Sequence, residues 1–257
     1  MNDYSIGFIG GGRIVKIMLK AFVNRYVSLQ SVVVFEPNPE SRNMLRDEFP
    51  FVSFVEDVLY VFEQSILFLA LHPPVIKELL ESKKIPELSN TIVISLAPKI
   101  TIDKLSRALS STNVVRLLPN ATSYINKGYN PVVFSNDFDS FQKTYVMGLL
   151  KMLGNTFEVE ETKLEGYAIL SAMLPTYFWF QWDGLVELGK SVGFTEEESR
   201  EVVKNTLPGA IDLLYDSGLK PEEVMNLIPV KPMEECQQDI MAMYKTKLID
   251  LFNKIHP

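Results

Sequence analysis

Short apolar runs alternate with amphipathic stretches through the first 120 residues of this 257-residue chain. The runs cover residues 5–10, 32–35, 66–71, 92–96 and 114–118, and they are rich in valine, isoleucine, leucine and phenylalanine. Continuous apolar runs of this length are typical of strands buried on both faces of a parallel sheet. The stretches between them have the period and length of short helices, which favours right-handed crossovers. This part of the chain therefore predicts an α/β, doubly wound, mostly parallel sheet.

The pattern changes after Pro119. Residues 128–134 and 156–159 predict two further strands, with a helix over residues 138–153 between them. From residue 164 onward, long helical patterns follow one another without a strand-like run, and Thr195 with Glu198 three residues later is typical of a capping box. We therefore predict a sheet domain over residues 1–160 and an all-α domain over residues 161–257.

Three consecutive glycines end the first predicted strand and open the helix that follows. Gly10 permits a tight turn, and Gly12 lets the backbone approach a pyrophosphate that rests on the amides of a helix N-terminus. The third position of the fingerprint is Val15, where glycine or alanine is usual. The pattern predicts a dinucleotide-binding loop, with a plain strand-to-helix turn as the alternative. The predicted loop residues are Gly10, Gly11, Gly12, Arg13 and Ile14.

An acidic residue, Glu36, ends the second predicted strand at about the separation from the glycines that a ribose-binding acid has. A carboxylate there accepts the two ribose hydroxyls of the adenosine and repels a 2′-phosphate, which favours NAD over NADP. Arg42 and Asn38 lie close enough in the sequence to complicate this choice. The sheet domain is thus predicted to be a Rossmann domain that binds NAD or NADP.

Charge and cysteine content exclude several other functions. The chain has 32 acidic and 25 basic residues, a net charge of -7, and no dense basic block, so we expect neither nucleic acid nor a membrane surface as a partner. The single Cys236 cannot close an internal disulfide or build a cysteine-only metal cluster, which favours a cytoplasmic protein without a metal site. The apolar stretch at residues 65–76 is broken well short of the ~20 residues of a membrane-spanning helix.

Several segments, in order along the chain, carry a more specific signal. Residues 6–15 (IGFIGGGRIV), 68–73 (FLALHP), 93–102 (VISLAPKITI) and 115–120 (VRLLPN) are similar to IGFIGAGNMA, LAVKP, VSIAAGITI and VRxMPNTP. Residues 171–177 (SAMLPTY) and 206–210 (TLPGA) are similar to SGSGPAY and TxxGA. These are motifs of the pyrroline-5-carboxylate reductase family, which the chain resembles over roughly residues 5–235.

The resemblance implies a Rossmann domain followed by a helical domain that forms a homodimer. It also implies NADP as cofactor and hydride transfer to the C=N bond of a small cyclic imine in proline biosynthesis, at the domain interface. Asp57 stands where the family has an asparagine near the ribose, although it could instead cap the following helix. The further residues that the resemblance places around the cofactor are Leu71, His72, Pro73, Ala97 and Asn120.

The substrate loop departs from the family pattern. The family holds the substrate carboxylate with a loop similar to TSPGGTT, whereas residues 229–235 are PVKPMEE. Glu234 and Glu235 would repel an anionic substrate unless Lys231 intervened. Together with Ser171, which is kept from the family motif, these are the predicted substrate residues. The alternatives are a reductase of the same fold acting on another small imine or keto compound, or a nucleotide-binding protein without catalysis.

Tyr177 and His72 are the predicted catalytic residues, because a proton donor assists reduction of an imine or carbonyl. Tyr177 belongs to the aromatic run at residues 177–182, so simple packing is the alternative. His72 follows a strand at the edge where ligands bind such sheets, but it could also cap a turn. The aromatic run covers three faces of a helix, which favours burial in a dimer formed through the helical domain.

Overall fold

The computed structural model describes residues 4–82 and 85–257 of the chain. Over these residues the strands form one eight-stranded sheet. The strands are β1 (Ile6–Ile9), β2 (Val32–Phe35), β3 (Ser53–Val55), β4 (Ile66–Leu69), β5 (Ile92–Ser95), β6 (Val114–Leu117), β7 (Gly128–Phe134) and β8 (Gly154–Glu158). Their order is β3-β2-β1-β4-β5-β6-β7-β8, and every neighbouring pair is parallel except β6 with β7.

Helices connect the strands and make up the C-terminal part of the chain. The helices of the sheet region are α1 (Arg13–Asn24), α2 (Pro39–Glu48), α3 (Leu59–Phe62), α4 (Pro73–Glu81), α5 (Ile102–Leu109), α6 (Ser140–Lys151) and α7 (Leu164–Tyr167). They are followed by α8 (Leu174–Ser191), α9 (Glu196–Asp216), α10 (Pro221–Met225) and α11 (Gln237–Ile255).

The strands are short and apolar because both faces of the sheet are buried. Phe8 on β1 lies opposite Val34 on β2 and Phe68 on β4, and the rings of Phe8 and Phe68 stack with their centroids 4.7 Å apart. Alternate residues such as Leu67 and Leu69 point to the other face and pack into a second cluster. The predicted doubly wound, mostly parallel sheet is confirmed.

One strand of this sheet had no sequence signal. β3 spans only three residues, and none of them is buried. It pairs in parallel with β2 at the edge of the sheet. An edge strand of this length has too few apolar positions to stand out from a loop.

The chain divides into two compact units. The first contains the described residues up to Met173 together with Phe252–Pro257, and the second is Leu174–Leu251. The sequence places the division near residue 160, whereas residues 161–173 pack within the first unit. The reason is a buried cluster between this segment and the sheet region, formed by Leu118, Val133, Leu164 and Ala168.

The second unit is helical, and few of its side chains are buried. Among them are Val186 on α8 and Ser199 on α9. The predicted capping box is confirmed, since Glu198 N donates to Thr195 Oγ1 at 3.2 Å and Thr195 N donates to Glu198 Oε2 at 2.8 Å. Within the described residues, the helices are too short or too polar to cross a lipid bilayer.

Candidate functional site

The carboxyl end of the parallel strands carries the predicted cofactor residues of the first unit. β1 lies between β2 and β4, which is the point where the strand order reverses. Ligands of doubly wound sheets bind in the crevice at this point. The glycine loop follows β1, Glu36 follows β2 and His72 follows β4, so the fold brings these three positions to the same edge.

Two glycines of the loop have different structural roles. Gly10 has a φ of +100°, and a Cβ on it would lie 2.5 Å from the Ala70 carbonyl oxygen beside it. A side chain at this position would therefore break the contact between the loop and the end of β4. A Cβ on Gly12 would meet no atom within 4 Å, so this glycine faces open space.

The N-terminus of α1 presents backbone amides to that space. Gly12 provides no side-chain cap, and the amides of Val15 and Lys16 bond to the Gly12 carbonyl oxygen at 3.1 and 3.2 Å. Within the described residues, no acceptor contacts the amides of Gly12, Arg13 or Ile14. Consecutive amides at the positive end of a helix dipole fit a pyrophosphate. The loop thus has the donors that a dinucleotide needs.

Glu36 is fixed beside the loop by two backbone amides. Its Oε2 accepts from Gly11 N at 2.6 Å, and its Oε1 accepts from Asn38 N at 2.8 Å. The Arg42 guanidinium donates to the Glu36 carbonyl oxygen at 3.2 Å. Each carboxylate oxygen keeps acceptor capacity for a hydroxyl. The carboxylate is therefore placed next to the loop, as the ribose assignment requires.

A cavity of about 480 Å³ adjoins the loop between α1 and α2. It is lined by Gly11, Gly12 and Arg13, and by Lys16 and Glu48, whose charged groups are 2.6 Å apart. The hydrogen bond to Glu48 raises the pKa of Lys16 above its ordinary value. Arg13 has no ion-pair partner among the described residues, so its guanidinium is available to a phosphate.

His72 lies three residues after the end of β4 and immediately before α4, and it is exposed. It makes no capping hydrogen bond to the helix, in which the first positions are taken by Pro73 and Pro74. The cap that the sequence offered as an alternative role is therefore not present. Ala97, after β5, is buried, and its amide donates to Ser95 Oγ at 3.4 Å.

Asn120 and Ser171 form hydrogen bonds with each other and with the surrounding chain. Asn120 Nδ2 donates to the Ser171 carbonyl oxygen at 2.6 Å, and Asn120 Oδ1 accepts from Thr122 N at 2.8 Å. Ser171 Oγ donates to the Tyr129 carbonyl oxygen at 2.7 Å. Both side chains are buried and hold the end of β6 against the segment after α7. Their predicted roles toward cofactor and substrate stay predictions.

Asp57 has the second of the two roles that the sequence left open. Its Oδ1 accepts from Leu59 N at 2.9 Å, so the carboxylate caps the first turn of α3. The side chain is exposed at the surface. Any contact with a ribose would have to coexist with this cap.

The remaining predicted residues belong to the second unit. Tyr177 on α8 lies with its ring centroid 6.0 Å from that of Tyr244 on α11. Burial, and then the charge of Tyr244, raise the pKa of Tyr177 above its ordinary value. The phenol is protonated at neutral pH, as tyrosine ordinarily is, and the raised pKa makes it a weaker acid.

The substrate-loop residues Lys231, Glu234 and Glu235 also lie in this unit. Lys231 Nζ donates to Asn226 Oδ1 at 2.9 Å. Glu234 and Glu235 are exposed in a short turn that precedes α11. The Lys231 ammonium group thus donates a hydrogen bond to the Asn226 side chain, and the carboxylates of Glu234 and Glu235 face solvent.

A buried charge cluster was missed by the sequence analysis. Arg116 on β6 is completely buried, and its guanidinium donates to Glu161 Oε1 at 2.9 Å and to Glu165 Oε1 at 2.5 Å. The same two oxygens accept from Ile102 N at 2.7 Å and from Lys99 N at 3.2 Å. The cluster therefore joins β6 to the loop before α5. Its only sequence signal is a charged residue inside an apolar run.

Known proteins resemble this chain along most of its length. The family model described as NADP oxidoreductase coenzyme F420-dependent matches residues 5–99. Pyrroline-5-carboxylate reductase of Corynebacterium melassecola is 25% identical over 225 residues, which cover 86% of this chain and 83% of that protein. The resemblance inferred from the sequence motifs is confirmed.

Solved structures share the architecture of the chain. A Plasmodium falciparum pyrroline carboxylate reductase with NADP bound has a TM-score of 0.80 and 19% identity, covering 99% of this chain and 96% of that one. The 1-pyrroline-5-carboxylate reductase of Streptococcus pyogenes has a TM-score of 0.81 and 17% identity, covering 98% of each chain. A Rossmann fold followed by helices is therefore the architecture of this protein.

Proposed function

We propose that this chain, which resembles pyrroline-5-carboxylate reductases in sequence and fold, is an NAD(P)-dependent reductase of the C=N bond of a small cyclic imine. The reaction would be the one that forms proline. The observation that carries the proposal is the similarity to a pyrroline-5-carboxylate reductase over 86% of the chain. The glycine loop lies within residues 5–99, which match the oxidoreductase family model. The amides of residues 12–14 support it, because they fit a dinucleotide.

The residues of this chain would bind the cofactor, orient the imine and donate a proton to it. The amides of Gly12, Arg13 and Ile14 would hold the pyrophosphate, and Glu36 would accept the ribose hydroxyls. When bound, the nicotinamide supplies the hydride. Tyr177, whose phenol is protonated at neutral pH, is the proposed proton donor, and exposed His72 is the second candidate.

Either nicotinamide cofactor is compatible with the proposal. The carboxylate of Glu36 favours NAD, because it would repel a 2′-phosphate. The Plasmodium relative binds NADP, which favours the phosphorylated cofactor. We place the reaction in the cytoplasm, since the one cysteine, Cys236, is free and exposed, as reducing conditions allow.

We further propose a homodimer formed through the second unit. Many large apolar side chains are exposed on its helices, and large exposed apolar patches mark interaction surfaces. Examples on α8 and α9 are Trp179, Phe180, Leu185, Leu188, Val202, Ile211 and Tyr215. A second copy of the chain would cover them, because most soluble oligomers are symmetric homo-oligomers.

The test is an assay for turnover of pyrroline-5-carboxylate with NADH and with NADPH. The loss of absorbance of the reduced nicotinamide measures the rate. Gly12→Val is the matched variant, because a side chain at Gly12 projects into open space and leaves the fold intact. We expect turnover by the wild type, and about tenfold or more weaker cofactor binding by the variant at unchanged stability, because a side chain at this position obstructs the approach of the pyrophosphate to the backbone. Absence of turnover with both cofactors would contradict the proposal.

A second candidate is a reductase of the same fold that acts on a different small imine or keto compound. Glu234 and Glu235 favour it, because their exposed carboxylates disfavour an anionic substrate while Lys231 bonds to Asn226. A panel of neutral, basic and acidic imines distinguishes the two: preference for neutral or basic compounds supports the second candidate. Tight dinucleotide binding without any turnover would indicate a binding protein instead.

A further inference from the structure

A cavity of about 980 Å³ lies between α4, α5, the loop that joins β5 to α5, and the last turn of α11. All of its lining residues belong to the first unit. Leu80, Ile100 and Ile255 contribute apolar surface, together with three prolines. None of the residues of the glycine loop lines it, so it is separate from the pyrophosphate position described above, although it shares Pro73 with the residues that the resemblance places around the cofactor.

Positive charge surrounds this apolar cavity. Lys77, Lys99, Lys104 and Lys254 line it, and Glu81 is the one acid among its lining residues. Glu81 lies 3.8 Å from Lys77, and the other three ammonium groups have no ion-pair partner among the described residues. The chain as a whole has a net charge of -7, so this local excess of positive charge is opposite in sign to the charge of the whole chain.

Lys99 occupies a backbone conformation that lysine disfavours. Its φ is +76°, which is unfavourable for a residue with a side chain, whereas glycine adopts it freely. The amide of Lys99 donates to buried Glu165, which fixes this conformation. Backbone strain of this kind persists where the surrounding contacts hold it, and it is concentrated at binding and active sites.

Lys104 also lies at a position where the helix favours a different type of residue. Thr101 caps α5 by accepting from Lys104 N at 3.3 Å, so Lys104 is the residue at which glutamate would complete a capping box. A cation in the first turn of a helix also opposes the helix dipole. Two lysines thus line one cavity at positions where the backbone favours other residues, and such conflicts are expected at functional sites.

We propose that this cavity binds an organic anion whose charged group is a carboxylate or phosphate and whose body is apolar. The lysine side chains would hold the charged group, and Leu80, Ile100 and Ile255 would contact the body. A volume of this size suits a small molecule. The inference goes beyond imine reduction and does not depend on it, because no step of that reaction uses these lysines.

Isothermal titration calorimetry of the full-length protein tests the proposal with octyl phosphate, octanoate and uncharged 1-octanol. We expect at least one of the two anions to bind about tenfold or more tightly than 1-octanol, and the stronger of the two identifies the preferred charged group. Lys104→Glu should weaken that binding at least tenfold. Lys127→Glu, which changes an exposed lysine of the same unit outside the cavity, should leave it within about twofold.

Loss of binding by Lys104→Glu would not reflect unfolding, because glutamate completes the cap of α5 and should keep or raise the unfolding temperature. Lys99→Gly is a second variant. It removes the Lys99 ammonium group and, at the same time, the strain of a positive φ at a residue with a side chain. Equal binding of 1-octanol and both anions would overturn the proposal, as would unchanged binding in both lysine variants. The reductase assay is unaffected by either result, so failure here is distinguishable from failure of the proposed reaction.

Discussion

At the scale of single residues, Lys99 shows that one position can store strain without disturbing the fold. Its positive φ is compatible with the structure because its backbone amide donates a hydrogen bond to the Glu165 carboxylate, whose charge Arg116 neutralises. Any benefit of the lysine side chain must therefore outweigh a local backbone cost. Stability measurements can separate the two contributions.

Lys99→Gly is expected to raise the free energy of unfolding by about 1 kcal/mol, because glycine has no Cβ that opposes a positive φ. Urea denaturation followed by circular dichroism measures the change. Lys127→Gly is the control, since Lys127 is not among the residues with positive φ and should gain nothing. A destabilised Lys99→Gly variant would contradict the strain assignment.

Glu36→Ala is expected to weaken NAD binding by about tenfold to a hundredfold, because charge-assisted hydrogen bonds to the ribose contribute about 1.5–3 kcal/mol. NADP binding should change much less, since the carboxylate opposes a 2′-phosphate. Titrations with the reduced cofactors, NADH and NADPH, followed by the fluorescence of the dihydronicotinamide ring, give both dissociation constants. Glu40→Ala, at an exposed acid in the first turn of α2, is the control, and an equal loss for both cofactors would argue against the ribose role.

At the scale of elements, the predictable parts were those with a local signal. Five strands, β1, β2, β4, β5 and β6, are apolar runs, and the capping box of α9 spans only four residues, so both features follow from neighbouring positions. The glycine loop is equally local. β3 was missed because it is short and unburied. Which residues Asn120 and Ser171 bond to was also beyond prediction, because 51 positions separate them in the sequence.

The Arg116 cluster joins elements that are distant along the chain, which explains why no sequence pattern revealed it. Its partners Glu161 and Glu165 lie 45 and 49 positions away. Arg116→Met should lower the free energy of unfolding by about 3–5 kcal/mol, because the Glu165 carboxylate would remain buried without its cation. Urea denaturation again provides the measurement.

Two further variants make this prediction specific. Arg107→Met breaks an exposed pair with Asp103 on α5 and should cost no more than about 0.5 kcal/mol. Arg116→Met combined with Glu165→Met should be more stable than Arg116→Met alone, since no buried charge is left unpaired. A double variant that is less stable than the single one would show that the carboxylate is not the source of the loss.

At the scale of the whole molecule, the unequal burial of the two units is the main feature. The sheet unit has large buried clusters on both faces, whereas the helical unit exposes many large apolar side chains. Hydrophobic pattern predicted the sheet well. The pattern in the helices does not by itself specify which apolar faces pack within the chain and which stay exposed.

Phe180→Glu is expected to reduce the proportion of dimer, because it places a charge on the exposed apolar surface of α8, where Phe180 is 69% exposed. Light scattering coupled to size-exclusion chromatography measures the mass. Phe51→Glu changes a phenylalanine that is 71% exposed in the first unit, and it should leave the mass unchanged. A wild-type protein with the mass of one chain would contradict the proposed dimer.

The division of the chain also has a consequence for how such a protein can be recombined. Residues 174–251 are flanked on both sides by residues of the first unit, so in connectivity the helical unit is an insertion and not an appended tail. Exchange of this segment with that of a relative requires two coordinated junctions, and the second one falls inside α11. A chimaera must therefore preserve the helical phase across that junction, because a shift of one residue rotates the returning residues by about 100°.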